Sequence, residues 1–221
     1  MQQYDEAALK QWIEESIATS TNILASGYQG KILHYDDTDH DFLIKVPHGQ
    51  GLARKLHLHM LRHEYAVYQQ LGDFAGAPTC YGLIDDQYLV LEYVQGRTIR
   101  NKRPLDEEEF HTKLLDYIRT MHSKGVAHMD LKRKDNLLVK TDESPCILDF
   151  GTAVIKRKGL HLFNQYRYKI GKQFDYNAWI KHKYHDRMDE ISMLDRRYYK
   201  PTWVEVLASA VKSLYTTLKG R

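Results

Sequence analysis

The sequence predicts an α+β fold in two lobes: a small antiparallel, β-rich N-terminal lobe with one main helix, and a reduced, mostly helical C-terminal lobe. Residues 22–46 contain strand patterns separated by a glycine turn, and residues 79–94 contain two further runs of strand length, TCYGLID and QYLVLEYV. After Gly96 the apolar residues recur mainly at helical spacing. This change of period along the chain predicts the two lobes.

Within the N-terminal lobe, two helices are expected beside the strands. A short amphipathic helix before the main fold is predicted by the apolar positions Leu9, Trp12, Ile13 and Ile17. A second helix over 56–71 is predicted by Leu61, Tyr65, Tyr68 and Leu71. Between them, ILASGYQGKILHYDD has the pattern of strand, glycine turn and strand, and DFLIKV that of a short buried strand.

The C-terminal lobe is expected to begin with a helix near Pro104 and Asp106, two residues that favour a helix start. Its apolar stripe consists of Phe110, Leu114, Ile118 and Met121. Short strands are predicted at NLLVK and CILDF, on either side of a turn at 142–145. A last amphipathic helix is predicted by Trp203, Val206, Leu207, Ala210, Val211, Leu214 and Leu218.

The chain length suits a single domain over 1–221. We expect the N-terminal lobe over 1–91, a hinge at 92–96 and the C-terminal lobe over 97–221. The junction between a β-rich and a helical lobe is a common place for a ligand cleft.

Composition is that of an ordinary globular protein, with 43% hydrophobic and 28% charged residues and a formal net charge of +3. The two cysteines, Cys80 and Cys146, lack metal-ligand spacing and indicate a reducing compartment. No apolar run approaches about 18 residues, so no transmembrane segment is expected. The acidic N-terminus has no apolar core of a secretory signal. Together these features predict a cytoplasmic protein.

Two aspartates carry the strongest chemical signal. Asp130 lies in GVAHMDLKRKDNLLV and Asp149 in CILDFG, 19 residues further on. Both stand at a boundary between a strand and a loop. An ATP-dependent transferase needs one carboxylate near the acceptor hydroxyl and another that holds a metal on the phosphates.

These two segments resemble the catalytic loop and the Asp-Phe-Gly motif of protein kinases. The resemblance implies that Asp130 orients the acceptor and takes its proton, and that Asp149 binds Mg²⁺, with Mn²⁺ as an alternative. Lys132 matches the lysine that protein Ser/Thr kinases direct at the transferred phosphate. ATP is the implied phosphate donor.

Upstream residues follow in the order of the same family. Lys45 in FLIKV resembles the lysine that holds the α- and β-phosphates, and Glu64 would be its ion-pair partner. Gly27 and Gly30 resemble the end of a glycine-rich phosphate loop. Leu91, Glu92 and Val94 in LVLEYV resemble the hinge that contacts adenine.

The chain departs from the common pattern at several positions. The interval from Asp130 to Asn136 is one residue longer than usual, which leaves two candidates for the second metal ligand. Asn136 directly precedes the strand run LLV, as the metal-binding Asn of kinases does, and is favoured; Asp135 is the alternative. Met129 replaces the usual arginine, the glycine loop lacks its first glycine, no Ala-Pro-Glu follows, and only 70 residues remain after Gly151. The chain therefore resembles compact atypical kinases: the RIO enzymes, the kinase subunit of the KEOPS complex and the bacterial lipopolysaccharide-core kinases.

A basic and aromatic segment at 156–187 follows the second motif. Its basic residues are Lys156, Arg157, Lys158, Arg167, Lys169, Lys172, Lys181 and Lys183, and its aromatics include Tyr166, Tyr168, Tyr176, Trp179 and Tyr184. It is either a solvated helical face or a surface for an anionic partner, RNA or a membrane. A membrane as the partner would place the protein at the inner face of that membrane.

Three functions follow from these residues. The first is transfer of the γ-phosphate of Mg-ATP to Ser or Thr of a protein, which Lys132 favours. The second is phosphorylation of a glycan or glycolipid such as a lipopolysaccharide-core sugar. The third is a pseudokinase that binds nucleotide without transfer.

Overall fold

The computed structural model describes residues 4–27 and 30–202. Its helices are α1 (Glu6–Thr19), α2 (Gly51–Leu71), α3 (Glu107–Ser123) and α4 (Leu162–Lys183). Its strands are β1 (Ile23–Ser26), β2 (Gly30–Asp36), β3 (Asp41–Pro47), β4 (Cys80–Ile84), β5 (Tyr88–Glu92), β6 (Gly96–Thr98), β7 (Val126–Ala127), β8 (Leu137–Lys140), β9 (Pro145–Ile147) and β10 (Val154–Ile155). The predicted α+β fold is confirmed.

The N-terminal half forms one antiparallel sheet of five strands, in the order β1-β2-β3-β5-β4. Side chains alternate between the two faces of a strand, and β3 shows this clearly. Phe42 and Ile44 are buried with α1 on one face. Leu43 packs toward the main core on the other, and Lys45 shares its face by alternation. The strand therefore directs the lysine toward α2 and the C-terminal half.

Helix α1 covers the outer face of this sheet, as its apolar spacing predicts. Asp5 caps it by accepting hydrogen bonds from the backbone amides of Ala7 and Ala8. Leu9 and Ile13 are buried in the cluster that also contains Phe42. The outer face of the sheet is thus closed by the chain's own first helix.

Helix α2 starts at Gly51, five residues before the predicted start at 56. The difference arises because the first turns of α2 are largely exposed, so their residues show no helical repeat of apolar side chains in the sequence. Its buried side includes Leu61, Val67 and Leu71, and Glu64 is buried among them.

The C-terminal half contains helices α3 and α4, a sheet in the order β6-β8-β9 and the pair β7-β10. Asp106 caps α3 by accepting from the Glu109 amide, and the predicted stripe of α3 is buried. One apolar cluster joins α2, through residues such as Leu71, to α3 and to Trp179 of α4. This shared core holds the two halves together.

The domain and hinge boundaries stay predictions. Residues 93–95 connect β5 of the first sheet to β6 of the second. The last predicted helix, from Trp203 onward, lies outside the described residues. Cys80 and Cys146 are both free thiols. Among the helices in the described ranges, none combines the length and apolar character required to cross a membrane.

Candidate active site

Lys45, Glu64 and Asp149 meet between the two halves of the molecule. The Lys45 Nζ atom donates to Glu64 Oε1 at 2.7 Å and to Asp149 Oδ1 at 3.4 Å. The Glu64 side chain is only 5% exposed, whereas that of Asp149 is 39% exposed. The pair Lys45–Glu64 is therefore interior, and the Asp149 carboxylate opens toward solvent.

Burial and charge act in opposite directions on this cluster. Burial by itself lowers the pKa of Lys45, but attraction by Glu64 and Asp149 outweighs it and raises that pKa above its usual value. Burial raises the pKa of Asp149, but Lys45, His128 and the Gly151 amide together outweigh it and hold the pKa of Asp149 below its usual value. Both groups are therefore charged at neutral pH.

Asp149 stands at the turn between β9 and the next short helical turn. Its backbone has a φ of 63°, in the left-handed region that aspartate and asparagine tolerate better than most residues. The following Phe150 is fully buried and donates its amide to Glu64 Oε1 at 3.2 Å. The anchored phenylalanine holds Asp149 in place.

Asp130 and Asn136 lie together in the loop after β7. The Asn136 Nδ2 atom donates to the Asp130 backbone oxygen at 3.1 Å and to Asp130 Oδ2 at 3.2 Å. The Asn136 backbone oxygen accepts from the Leu148 amide, and His128 Nε2 lies 2.9 Å from the Leu148 oxygen. The two aspartate loops are thus joined directly through Leu148.

The neighbouring Asp135 has a different partner. Its carboxylate accepts two hydrogen bonds from the Arg100 guanidinium, at 2.6 Å and 2.8 Å. The hydrogen bonds from Arg100 hold the pKa of Asp135 below its usual value. Asn136 is buried and points to Asp130, whereas Asp135 is held at the surface by Arg100.

The remaining predicted residues lie around this cluster. Leu91 is buried at the end of β5, and Val94 is half-buried in the connection that follows. Glu92 pairs with Thr79: its amide donates to the Thr79 oxygen at 2.8 Å and its carboxylate accepts from the Thr79 amide at 2.9 Å. Lys132 is exposed in the Asp130 loop.

The two glycines differ in their surroundings. Gly27 directly follows β1, its amide donates to the Gly30 oxygen at 2.9 Å, and a Cβ there would meet open space. A Cβ at Gly30 would stand 2.1 Å from the Val46 carbonyl oxygen. The close approach of β2 to β3 is thus a structural reason for glycine at position 30.

Sequence reasoning missed Asp175, which supports the Asp130 loop from α4. Asp175 is fully buried, and its carboxylate accepts from the amides of His128 and Met129, each at 2.9 Å. It also pairs with His122 Nε2 at 2.9 Å. Met129 has a φ of 70°, so this anchor holds a strained backbone next to Asp130. A lone acid between Phe174 and Tyr176 was the available signal.

The donor set around Asp149 suits a hard divalent cation. Asp149 supplies a partly exposed carboxylate and Asn136 an amide oxygen, and such oxygen ligands are those that Mg²⁺ and Mn²⁺ prefer. The Asn136 amide nitrogen is already used by Asp130, which leaves its amide oxygen for a cation. The residues present therefore fit the metal that the motif implies.

Comparison with known proteins agrees with this geometry. The chain is 31% identical over 99 residues to serine/threonine-protein kinase D of Synechocystis, a match that covers 42% of this chain and 20% of that protein. It is 31% identical over 101 residues to serine/threonine-protein kinase PknA of Nostoc, covering 41% and 18%. It is 37% identical over 82 residues to CBL-interacting serine/threonine-protein kinase 24 of Arabidopsis thaliana, covering 34% and 18%. The matched part spans at most a fifth of these relatives.

The family comparison covers most of the chain. The protein kinase domain family matches residues 24–189, a span that includes Lys45, Glu64, Asp130 and Asp149. The chain therefore belongs to the protein kinase family.

Proposed function

We propose that the protein is an ATP-dependent phosphotransferase that moves the γ-phosphate of Mg-ATP to a hydroxyl group, with Ser or Thr of a protein as the acceptor. The observation that carries this proposal is the contact of Lys45 with both Glu64 and Asp149, at 2.7 Å and 3.4 Å. It places a fixed cation beside a partly exposed carboxylate, which is the arrangement that positions a nucleotide's phosphates and their metal.

Lys45 would hold the α- and β-phosphates, because Glu64 fixes the direction of its ammonium group. Asp149 and Asn136 would hold the divalent cation, which when bound neutralises charge on the phosphate oxygens. Asp130 would accept the proton of the acceptor hydroxyl, and Lys132 would contact the transferred phosphate. The partly exposed Asp130 carboxylate supports this role.

The adenine ring would lie against Leu91, with main-chain groups of Glu92 and Val94 at its edge. Burial of Leu91 at the end of β5 supports an apolar wall there. Gly27 and Gly30 would border the phosphates, and the open space beside Gly27 supports this for that residue.

The protein acceptor is favoured by the similarity to serine/threonine-protein kinases of Synechocystis and Nostoc. Lys132 is exposed and lies two residues after Asp130, where a phosphate passing to a protein hydroxyl would be within its reach.

The test is transfer of labelled γ-phosphate from Mg-ATP to a generic basic protein. Replacing Asp130 by Asn should reduce the transfer about a hundredfold, since a positioned base contributes about 10²–10⁴ to such rates. The matched control is Asp135→Asn, in the same loop, which should retain most activity because Asp135 pairs with Arg100.

If Asp135→Asn loses as much transfer as Asp130→Asn, the choice of Asn136 rather than Asp135 as the second metal ligand is contradicted. Asp130-dependent hydrolysis without protein labelling would point to a glycan or glycolipid acceptor. ATP binding with no transfer to any acceptor would overturn the proposal in favour of a pseudokinase.

A second variant tests the phosphate contact. Lys45→Ala should lower kcat/KM for ATP by about ten- to a hundredfold, because misplaced phosphates lose alignment for transfer. Lys10→Ala, which removes a surface lysine paired with Asp85, is the control and should leave kcat/KM unchanged. If Lys45→Ala has the same kcat/KM as the wild-type protein, Lys45 does not contact the phosphates of ATP as proposed.

A further inference from the structure

The segment after the Asp149 motif is strongly basic and has no carboxylate of its own. The 25 residues from Phe150 to Phe174 contain six Lys or Arg and no Asp or Glu. Within residues 4–27 and 30–202, no carboxylate oxygen pairs with any of these six cations, whereas Lys183 further along pairs with Glu108 and Asp195. The segment is thus a source of uncompensated positive charge.

The same segment exposes large apolar side chains. Residues 156–163 are all exposed, and within them Leu160 is 94%, Leu162 74% and Phe163 75% accessible. Three neighbouring apolar side chains at such exposure form a patch rather than the scattered single residues usual on a surface. Lys156, Arg157 and Lys158 directly precede them.

Hydrogen bonds fix the backbone that carries these side chains. The Lys156 amide donates to the Gly125 oxygen at 2.8 Å, and the Arg157 amide donates to Asn164 Oδ1 at 2.7 Å. Asn164 Nδ2 donates in turn to the Ile155 oxygen at 2.9 Å. The loop is therefore tied to the first turn of α4 and presents its apolar side chains in a defined place.

The start of α4 has two opposite faces. At about 100° per residue, Leu162 and Phe163 lie in one sector of the helix. Tyr168 and Gly171 lie on the far side, where they pack against Ala127. The helix is thus anchored by one face, while the apolar face points away from the core formed by residues 4–27 and 30–202.

Cations border the apolar face on both sides. By the same helical rotation, Lys169 falls next to Leu162, and Arg167 falls next to Phe163. Both are exposed. An apolar stripe between Lys and Arg is the pattern of a helix that lies in the plane of a membrane interface.

The structure removes most of the support for RNA as the partner. Tyr168 and Trp179 are 7% and 1% exposed, so neither ring can stack on a base. Tyr176 packs against His122, and the Tyr184 hydroxyl bonds to Asp195. Tyr166 is 50% exposed and lies with Phe163 beside Leu160 and Leu162. The exposed patch therefore combines aliphatic and aromatic side chains, a composition typical of a membrane-interface helix rather than of a row of base-stacking rings.

We propose that residues 156–169 form a docking surface for an anionic phospholipid bilayer. Leu160, Leu162 and Phe163 enter the boundary between headgroups and acyl chains, and the surrounding Lys and Arg side chains contact headgroup phosphates. This binding does not rest on the proposed phosphotransferase function, since it requires neither ATP nor transfer.

The test is flotation of the full chain with vesicles of phosphatidylcholine alone or of phosphatidylcholine with phosphatidylglycerol. We expect at least about tenfold tighter binding to the anionic vesicles, weakened by salt. Two variants, Leu160→Ser/Leu162→Ser/Phe163→Ser and Lys156→Gln/Arg157→Gln/Lys158→Gln, should each lose at least about tenfold in affinity. The control Leu105→Ser changes a leucine that is 86% exposed just before the N-cap of α3, and this variant should bind normally.

A fluorescence measurement reports insertion directly. Leu160→Trp should show a blue shift of emission with anionic vesicles that Leu105→Trp does not show. The proposal is overturned if the wild-type chain does not float, if both vesicle types bind equally, or if the triple variants bind as well as the control. If the wild-type chain binds single-stranded RNA but not vesicles, and the triple variants lose RNA binding, the partner of this surface is RNA and not a membrane.

Discussion

Replacing Asp149 by asparagine is expected to reduce phosphoryl transfer at least about a thousandfold while leaving the protein folded. The carboxylate is the partly exposed negative group beside Lys45, at 3.4 Å, and the proposed ligand of the cation that neutralises the phosphates. An amide in its place keeps the shape of the side chain but loses the charge. The measurement is the rate of labelled phosphate transfer, with the unfolding midpoint determined in parallel.

The matched control for this variant is Asp86→Asn. Asp86 also has a positive φ, 57°, and its side chain is 71% exposed on the turn between β4 and β5. The same chemical change in the same backbone conformation should leave transfer unaltered. Undiminished transfer in Asp149→Asn would show that Asp149 holds no required metal, and the proposed site would be wrong.

Replacing Asp175 by alanine is expected to lower the free energy of unfolding by about 3–5 kcal/mol, the cost of removing one partner from a buried charged network. The change leaves the His128 and Met129 amides and the His122 ring without their shared acceptor in the interior. Because these amides belong to the strained backbone beside Asp130, transfer should fall as well. Urea unfolding and transfer at a temperature where the variant is folded measure the two effects.

Asp116→Ala is the control for Asp175→Ala. Asp116 lies on α3 and forms an exposed pair with Arg119, so its removal should leave the urea midpoint unchanged. Asp175→Asn separates charge from hydrogen bonding, since the amide keeps one acceptor oxygen. If Asp175→Ala unfolds at the same urea concentration as Asp116→Ala, the buried network is not an anchor for the Asp130 loop.

Much of the fold and of the site follows from local patterns in the sequence. The period-two alternation in DFLIKV places Lys45 on the face opposite Phe42 and Ile44, and the structure has this arrangement. The helical period around Leu61 and Leu71 places Glu64 on α2, where it meets Lys45. These features are predictable because strand and helix periodicity depend only on near neighbours in the chain.

The sequence by itself determined the two-lobed α+β fold, the protein kinase resemblance and the set of charged residues that meet between the lobes. Only the tertiary structure showed that Asn136 and Asp135 have different partners, because Asp135 pairs with Arg100, 35 residues away in the chain, whereas Asn136 bonds to Asp130. It alone showed that Asp175 supports the Asp130 loop, through contacts that span 46 and 47 residues. It also divided the basic aromatic segment into an exposed part and a part packed in the core. Such burial and pairing depend on which distant segments of the chain pack together. The periodicity of a helix or a strand reflects only near neighbours and does not predict those contacts.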